Sequence, residues 1–355
     1  MFRAVVYSDI HIGTFGTPSE FIFDNLKWHI QKYKSYINKS DAIILSGDIS
    51  HKLLSLGSRD SYYYIQTILL FGNICKNNNM ELIILEGTSS HDMGQFKQVE
   101  ELLKDRGINY RYVDKICMQK VKDLNVLFIP DNHSLSGNKV IEKVDNILFE
   151  NKLSKFDLAI THNGYKYQLP VKLKSLIDED ILSRYVDGYI VSGHIHTPSE
   201  YKNIIVPGSF DRLAHGEEED KGALYFEIDL NTNYRHFERL INEKAMIYKT
   251  LEVINTDTIE KEIMKYPKGS HIALKTDMPI NKNVIDRLSQ YYIIDIKTTK
   301  KEKVKYDLDR DTNIDTIDIT PNNIIELLEN ELGYLSSEEY KIFKEEIKEV
   351  IWTEH

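Results

Sequence analysis

Five short clusters of histidine and aspartate have the residue types for metal chemistry, and each follows a run of apolar residues. In chain order they are Asp9-Ile10-His11, Gly47-Asp48-Ile49-Ser50-His51, Ser90-His91-Asp92, Thr161-His162-Asn163 and Gly193-His194-Ile195-His196. One such cluster alone is weak evidence, because short patterns of common residues arise by chance. Neutral imidazole and carboxylate together form the ligand set of Zn, Mn or Fe. The five clusters, taken together, therefore predict a metal site.

Two cations suit this set of side chains better than one. A shared carboxylate can hold two cations about 3.5 to 4 Å apart, and such a pair clamps the attacking and leaving oxygens of a displacement at phosphorus. Cations also lower the pKa of bound water, so that hydroxide forms near neutral pH. The residue types therefore indicate hydrolysis of a phosphoester.

The elements that must position these clusters are short apolar runs rich in β-branched residues, which predict buried strands. The runs are Ala4–Tyr7, Ala42–Leu45, Leu82–Leu85, Val126–Ile129, Leu158–Ile160, Tyr189–Val191, Ile204–Val206 and Leu224–Ile228. Helix-like segments such as Phe21–Ile37 and Tyr62–Cys75 lie between several of them. This alternation predicts a layered α/β domain over residues 1–240. Active sites of open α/β sheets lie beyond the carboxyl ends of strands, where the five clusters fall.

The sequence pattern of residues 245–305 predicts a second module, a small α+β capping domain. Its segments are strand-like Tyr248–Ile254, helix-like Thr258–Met264, strand-like His271–Leu274, helix-like Asn283–Ser289 and strand-like Tyr292–Ile296. Five lysines end it, at positions 297, 300, 301, 303 and 305. Such a charge run is ordinarily solvated surface, and contact with a phosphate backbone is the alternative.

Residues 306–355 predict an acidic linker followed by a helical tail. Thr320 can cap the first helix, and Ser336 or Ser337 can cap the second. The second helix carries an apolar stripe made of Tyr340, Phe343, Ile347, Val350 and Ile351. Two short amphipathic helices cannot bury themselves, so we expect them to dock on this protein or on a partner.

Composition narrows the class of protein. A chain of 355 residues, 41% hydrophobic, can bury one large core and still form smaller modules. Its formal net charge of −10 excludes a protein that coats nucleic acid by charge alone, so any DNA contact must be local. Cys75 and Cys117 predict free thiols in a reducing cytosol. Neither a leader nor an apolar run near the roughly 20 residues of a membrane span is evident, so we expect a cytoplasmic protein without a membrane partner.

The ordered set Asp-x-His, Gly-Asp-x-x-His, His-Asp, a single His and Gly-His-x-His resembles the calcineurin-like metallophosphoesterases over about residues 1–230. Within that superfamily, His51, the run 206–209 (Val-Pro-Gly-Ser) and Lys221-Gly222 are similar to the SbcD-type nucleases, as is the layout of module and tail. The resemblance implies a layered β-sandwich core flanked by helices. It also implies a DNA exo- and endonuclease of repair and recombination that uses two divalent cations, expected to be Mn²⁺.

The same resemblance implies partners. They are DNA, an SbcC-like SMC-type ATPase bound through the C-terminal helices, and a second copy of the chain. The segment Tyr62–Leu70, rich in large apolar and aromatic residues, is the expected face of the homodimer.

The resemblance also implies a role for each residue. Asp9, His11 and His196 would hold one metal and His162 and His194 the other, with Asp48 bridging both. His91 would protonate the leaving oxygen, Asp92 would orient His91, and His51 would face the scissile phosphate. The family usually reads Gly-Asn-His-Asp, with the Asn carbonyl as a ligand, whereas here residues 87–92 read Gly-Thr-Ser-Ser-His-Asp. Ser90 is therefore expected at the Asn position, as a weaker ligand of the second metal, and His133 and His215 are candidates for lining the cleft.

Two other functions stay open. A calcineurin-like phosphatase or phosphodiesterase for a small substrate would share every ligand, but such a substrate needs neither the capping module nor the tail. A non-catalytic scaffold of the same fold is supported only by Ser90. Bound Mn or Zn, measured together with hydrolysis of DNA and of nitrophenyl phosphate, separates the three functions.

Overall fold

The apolar runs form the inner strands of two six-stranded sheets. The computed structural model describes residues 1–131, 135–169 and 173–297. The strands are β1 Phe2–Tyr7, β2 Ala42–Ser46, β3 Glu81–Leu85, β4 Tyr110–Val113, β5 Cys117–Val121, β6 Leu124–Ile129, β7 Leu158–His162, β8 Ile190–Gly193, β9 Ser199–Tyr201, β10 Ile204–Val206, β11 Gly222–Asp229, β12 Tyr234–Ile241, β13 Tyr248–Glu252, β14 His271–Lys275 and β15 Ile293–Lys297. The helices are α1 Ser19–Lys32, α2 Lys34–Asn38, α3 Arg59–Asn77, α4 Phe96–Asp105, α5 Gly137–Glu150, α6 Glu179–Arg184, α7 Ile259–Ile263 and α8 Lys282–Leu288, with a 3₁₀ turn at Thr256–Thr258.

Both large sheets are mixed. The first has the order β12-β11-β1-β2-β3-β4, in which β1 to β4 run parallel and β11 and β12 antiparallel. The second has the order β5-β6-β7-β8-β10-β9, in which only the outer strands β5 and β9 run antiparallel. The carboxyl ends of β1, β2 and β3 therefore lie side by side, as do those of β7 and β8.

Side chains alternate along each strand between two buried layers, as a pleated strand requires. From β1, Ala4 and Val6 pack into the layer between the sheets, where they join Phe128 and Ile160 of the second sheet. Val5 and Tyr7 point to the opposite face, into a core that includes Ile22 and Leu26 of α1 and Ile68 and Phe71 of α3. Helix α5 covers the outer face of the second sheet in the same way. The predicted layered β-sandwich flanked by helices is confirmed.

A third sheet, β13-β14-β15, is all parallel and packs with α7 and α8 around its own apolar core. Its order of strands and helices follows the predicted segments. Tyr248 of β13 joins this sheet to the rest, because its hydroxyl lies 2.9 Å from Thr17 Oγ1 and donates to the Leu213 carbonyl at 3.0 Å. The described residues form one compact unit, and the proposed domain boundaries stay a prediction.

Several predicted features lie outside the described residues. These are His133, the lysines that follow Lys297, the acidic linker and the helical tail within 306–355. Within the described ranges, every helix is too short or too polar to cross a membrane.

Candidate metal centre

The five clusters meet because each lies at the carboxyl end of a parallel strand, namely β1, β2, β3, β7 or β8. Four of these residues have backbone φ angles in the left-handed region: Asp9 at 50°, His11 at 55°, Asp48 at 52° and His194 at 88°. That region is disfavoured for residues with a Cβ, and each such residue costs on the order of 1–3 kcal/mol unless its surroundings hold it. Strain of this kind concentrates at functional sites.

Loops from the two sheets interlock at this edge. The His194 amide donates to the Asp9 carboxylate at 3.1 Å, and His162 Nδ1 donates to the Ser46 carbonyl at 2.7 Å. Glycines permit the approach, since a Cβ on Gly47 would lie 2.2 Å from His162 Nδ1 and one on Gly193 would lie 2.4 Å from the Ser46 carbonyl oxygen. The clusters of both sheets are therefore held in one pocket.

Asp9, His11 and His196 form the first group of donors, with one atom of each within 4.8 Å of the others. His11 Nε2 lies 3.0 Å from His196 Nε2, and these two nitrogens lie 4.0 and 3.9 Å from Asp9 Oδ1. Burial lowers the pKa of His11 well below its ordinary value, which keeps the ring in the neutral form that binds metals.

Asp48, His162 and His194 form the second group. His162 Nε2 lies 3.2 Å from Asp48 Oδ1, and the hydrogen bond from its Nδ1 to the Ser46 carbonyl fixes the ring in this orientation. Asp48 Oδ2 lies 3.8 Å from His11 Nε2 of the first group. Asp48 thus lies between the two groups, as a bridging carboxylate must.

The electrostatics of the pocket favour positive charge beside Asp48. Burial opposes ionisation of Asp48, but the charge and hydrogen bond of His162 outweigh it and hold the pKa of this carboxyl well below its usual range. Burial likewise opposes protonation of His162, yet Asp48 raises the pKa of His162 to about 10. A pocket that favours a proton here can also favour a cation, and its nitrogen and carboxylate donors fit two divalent ions.

Thr88, not Ser90, contacts the second group. The Thr88 amide donates to Asp48 Oδ1 at 2.5 Å and its hydroxyl to Asp48 Oδ2 at 3.0 Å, while the same hydroxyl lies 3.4 Å from both His162 Nε2 and His194 Nδ1. The Ser90 side chain is exposed. The expectation for Ser90 is therefore corrected: two extra residues separate Gly87 from His91, and the position next to Gly87 is the one that faces the pocket.

Replacing Thr88 with valine should weaken binding of the second cation by about 10- to 100-fold, the usual effect of losing a polar partner of a metal site. Valine keeps the shape of threonine and removes only the hydroxyl. Titration with Mn²⁺ by calorimetry would measure the change. Ser90→Ala is the matched control and should bind as the unmodified chain does. Weakened binding in Ser90→Ala, or unchanged binding in Thr88→Val, would reverse this assignment.

His91 lies at the open side of the pocket. Its Nε2 is 4.0 Å from Asp48 Oδ2, and its Nδ1 donates to the His51 carbonyl at 2.6 Å. The expected role of Asp92 in orienting His91 is corrected, because Asp92 is buried and accepts hydrogen bonds from the Gly87 and Ser50 amides, both at 2.9 Å. Burial, and then the charge of Asp48, raise the pKa of Asp92 to about 7. Asp92 joins the two loops, and the His51 carbonyl orients His91.

The rim of the pocket carries an exposed aromatic residue. His51 stacks on His91 with ring centroids 5.1 Å apart, and its Nδ1 lies 3.2 Å from His11 Nδ1. Phe15 lies edge-on to His51 with its centroid 6.1 Å away, and its side chain is 87% exposed. Lys52 Nζ lies 4.1 Å from the centre of the Phe15 ring. An aromatic face and a cation thus adjoin the His91 side of the pocket.

Glu217 supports His196, although no pattern in the sequence singled it out. His196 Nδ1 donates to Glu217 Oε1 at 3.2 Å, which turns Nε2 toward Asp9 and His11. Burial opposes protonation of His196, but this hydrogen bond and the charges of Asp9 and Glu217 together outweigh it and raise the pKa of His196. Lys221 is fully buried, 2.9 Å from Glu217 Oε2, and donates to the His196 carbonyl at 3.0 Å. The sequence signal that could have pointed to Glu217 was its four-residue spacing from Lys221.

His215 does not belong to this group of residues. Its ring packs on His271 of β14, with centroids 4.9 Å apart. The structure groups His215 with His271 and Asp295, and the expectation that it lines the cleft stays a prediction.

Comparison with known proteins finds distant similarities to one viral protein and to two solved structures. An uncharacterized protein of Acanthamoeba polyphaga mimivirus is 23% identical over 318 residues, which are 84% of this chain but only 22% of the viral protein. One crystal structure aligns with a TM-score of 0.41 and 15% identity, covering 67% of this chain and 98% of its own. GAP50, the anchor in the inner membrane complex of Plasmodium, aligns with a TM-score of 0.37 and 16% identity, covering 63% of this chain and 80% of its own.

The family model gives the more specific match. The model of the calcineurin-like phosphoesterases matches residues 2–198, more than half of the chain. The matched range contains β1 to β8 and all of the histidines and aspartates that meet in the pocket. With its paired groups of metal-binding side chains, this chain belongs to the calcineurin-like family of metal-dependent phosphoesterases.

Proposed function

We propose that the chain is a two-metal DNA nuclease, the exo- and endonuclease subunit of an SbcCD-like repair and recombination complex. The observation that carries the proposal is the position of Asp48 between two groups of metal-binding side chains, with His91 4.0 Å away. This arrangement suits in-line cleavage of a phosphodiester. A phosphatase or phosphodiesterase for small substrates would use the same pocket. The residues at the rim of the pocket must therefore distinguish between the substrates.

The mechanism assigns each side chain a task. Asp9, His11 and His196 would hold one cation, His162 and His194 the other, and Asp48 both, with Mn²⁺ the proposed ion. When bound, the cations supply a water of lowered pKa and stabilise charge on the phosphate. His91 Nδ1 is held by the His51 carbonyl, so Nε2 is the atom that donates a proton to the leaving oxygen. The His51 ring, stacked on His91, would contact the scissile phosphate.

The rim supports a nucleic acid substrate. Phe15 is 87% exposed and so buries little of its ring, and aromatic side chains beside nuclease sites can stack on unpaired bases. Lys52 over the same ring would contact a backbone phosphate. A small phosphoester without a base would use neither group. Local contacts of this kind also suit a chain whose net charge is −10.

Replacing Phe15 with alanine should raise KM for a single-stranded oligonucleotide by about 10- to 100-fold, the range expected for losing one base-stacking contact. Steady-state kinetics would show the effect, and it should be much larger for the oligonucleotide than for bis(p-nitrophenyl) phosphate. Phe149→Ala is the matched control, because Phe149 is 85% exposed but lies on α5. An equal change with both substrates would remove the stacking role from Phe15.

The partners are proposed on the family resemblance and on the sequence pattern of the segments that would bind them. An SbcC-like ATPase would bind the apolar stripe of the tail, and a second copy would pack on α3, where Tyr62 is exposed. The match with this chain spans only 22% of the mimivirus relative, so that protein as a whole says nothing about the partners of this chain. Retention of the ATPase after deletion of residues 320–355, or a monomer by light scattering, would contradict the respective proposal.

A further inference from the structure

A second cluster of metal-binding side chains lies where the third sheet meets a loop of the core. His271 begins β14, Asp295 lies in β15, and His215 lies in the loop between β10 and β11. One donor atom of each residue lies within 4.8 Å of the other two, and His271 Nε2 is 2.8 Å from Asp295 Oδ2. None of the three belongs to the candidate metal centre.

Both histidines bury a ring nitrogen that lacks a hydrogen-bond partner among the described residues, Nε2 of His215 and Nδ1 of His271. His271 is only 7% exposed. Buried polar atoms are almost always satisfied, so the unpartnered Nε2 of His215, in one cluster with His271 and Asp295, suggests that a ligand completes the cluster on that side. His215 Nδ1 lies 3.4 Å from the Thr250 hydroxyl, a contact that orients the ring and leaves Nε2 free to bind.

The surroundings hold the cluster in place. The Tyr248 ring packs against His215 and His271, with centroids 5.0 and 4.7 Å away, and its hydroxyl is anchored to Thr17 and Leu213 of the core.

We propose that His215, His271 and Asp295 bind one Zn²⁺ ion that joins the third sheet to the core. Two imidazoles and one carboxylate with an open fourth position form an ordinary zinc ligand set. Bonds of about 2.0–2.1 Å place tetrahedral donors about 3.3 Å apart, so His271 and Asp295 need separate by only about 0.5 Å to admit the ion. The loop of His215 also carries Glu217, the partner of His196, so the ion would fix that loop as well.

Zinc titration of the full-length chain against a chromogenic chelator tests the proposal. Asp295→Asn should weaken the binding of one zinc equivalent by about 100-fold or more. The substitution removes a ligand of the ion, which costs more than the loss of a residue that only hydrogen-bonds to a ligand. Asp295 is half exposed, so this variant should fold, which the thermal unfolding midpoint checks. His215→Ala should remove the same equivalent. His236→Ala is the matched control, because it removes an exposed histidine of β12 and should leave zinc binding unchanged.

A variant of the candidate metal centre separates this inference from the proposed function. Asp48→Ala should keep the zinc equivalent, and the Asp48→Ala, Asp295→Asn double variant should lose it, whether or not the chain cleaves DNA. If Asp295→Asn and His215→Ala bind zinc with the number and affinity of the unmodified chain, the three residues form only a hydrogen-bonded pair beside an edge-on ring, and the proposal is overturned.

Discussion

Replacing Asp48 with alanine is expected to remove both cations of the candidate metal centre and to reduce phosphodiester hydrolysis by about 10³-fold or more, since metal-ion stabilisation is worth several kcal/mol. The reason is position: the two carboxylate oxygens lie 3.2 Å from His162 Nε2 and 3.8 Å from His11 Nε2. Metal content after dialysis against Mn²⁺ and the rate on a chromogenic diester measure the two effects.

The matched control for this variant is Asp123→Ala, which removes an exposed aspartate between β5 and β6 and should change neither quantity. If Asp48→Ala keeps two cations, Asp48 is not their shared ligand. If it loses one cation only, the two groups bind metals independently.

Replacing His91 with alanine is expected to leave both cations bound and to slow hydrolysis by about 10² to 10⁴, the usual contribution of a general acid. The orientation of the ring by the His51 carbonyl leaves Nε2 to protonate the leaving oxygen. The deficit should therefore be large for an alkoxide leaving group, as in DNA, and small for p-nitrophenolate, which departs without a proton.

Two outcomes oppose this role of His91. Loss of metal from His91→Ala would make the residue a ligand instead of an acid. An equal deficit with both leaving groups would show that His91 acts on binding or positioning and transfers no proton.

In the two large sheets, the inner strands were readable from the sequence and the edge strands were not. All eight predicted runs became strands, and each lies inside a sheet, where both faces are covered. The four strands without a predicted run are β4, β5, β9 and β12, the outermost strands of the two sheets. These four edge strands are partly exposed and carry polar side chains, as Tyr234–Ile241 does, so they leave no apolar run in the sequence.

The candidate site was predictable to the level of clusters but not of every contact. Strand ends brought Asp9, Asp48 and His162 together because parallel strands share an edge. Ser90 was assigned by counting back from His91, and two extra residues in the loop shift the contact to Thr88. Counting along a chain cannot reveal how a loop folds, nor can it show that Glu217, over 20 residues from His196, bonds to its ring.

The assay that bears most directly on the proposed function compares two substrates with one preparation. The full-length chain, loaded with Mn²⁺, is incubated with linear duplex and single-stranded DNA and, separately, with bis(p-nitrophenyl) phosphate. We expect DNA cleavage that stops on chelation with EDTA, resumes on return of Mn²⁺, and is absent in Asp48→Ala. Hydrolysis of the small diester with every form of DNA left intact would contradict a nuclease and identify a small-substrate phosphodiesterase, and two bound cations with neither substrate cleaved would contradict catalysis itself.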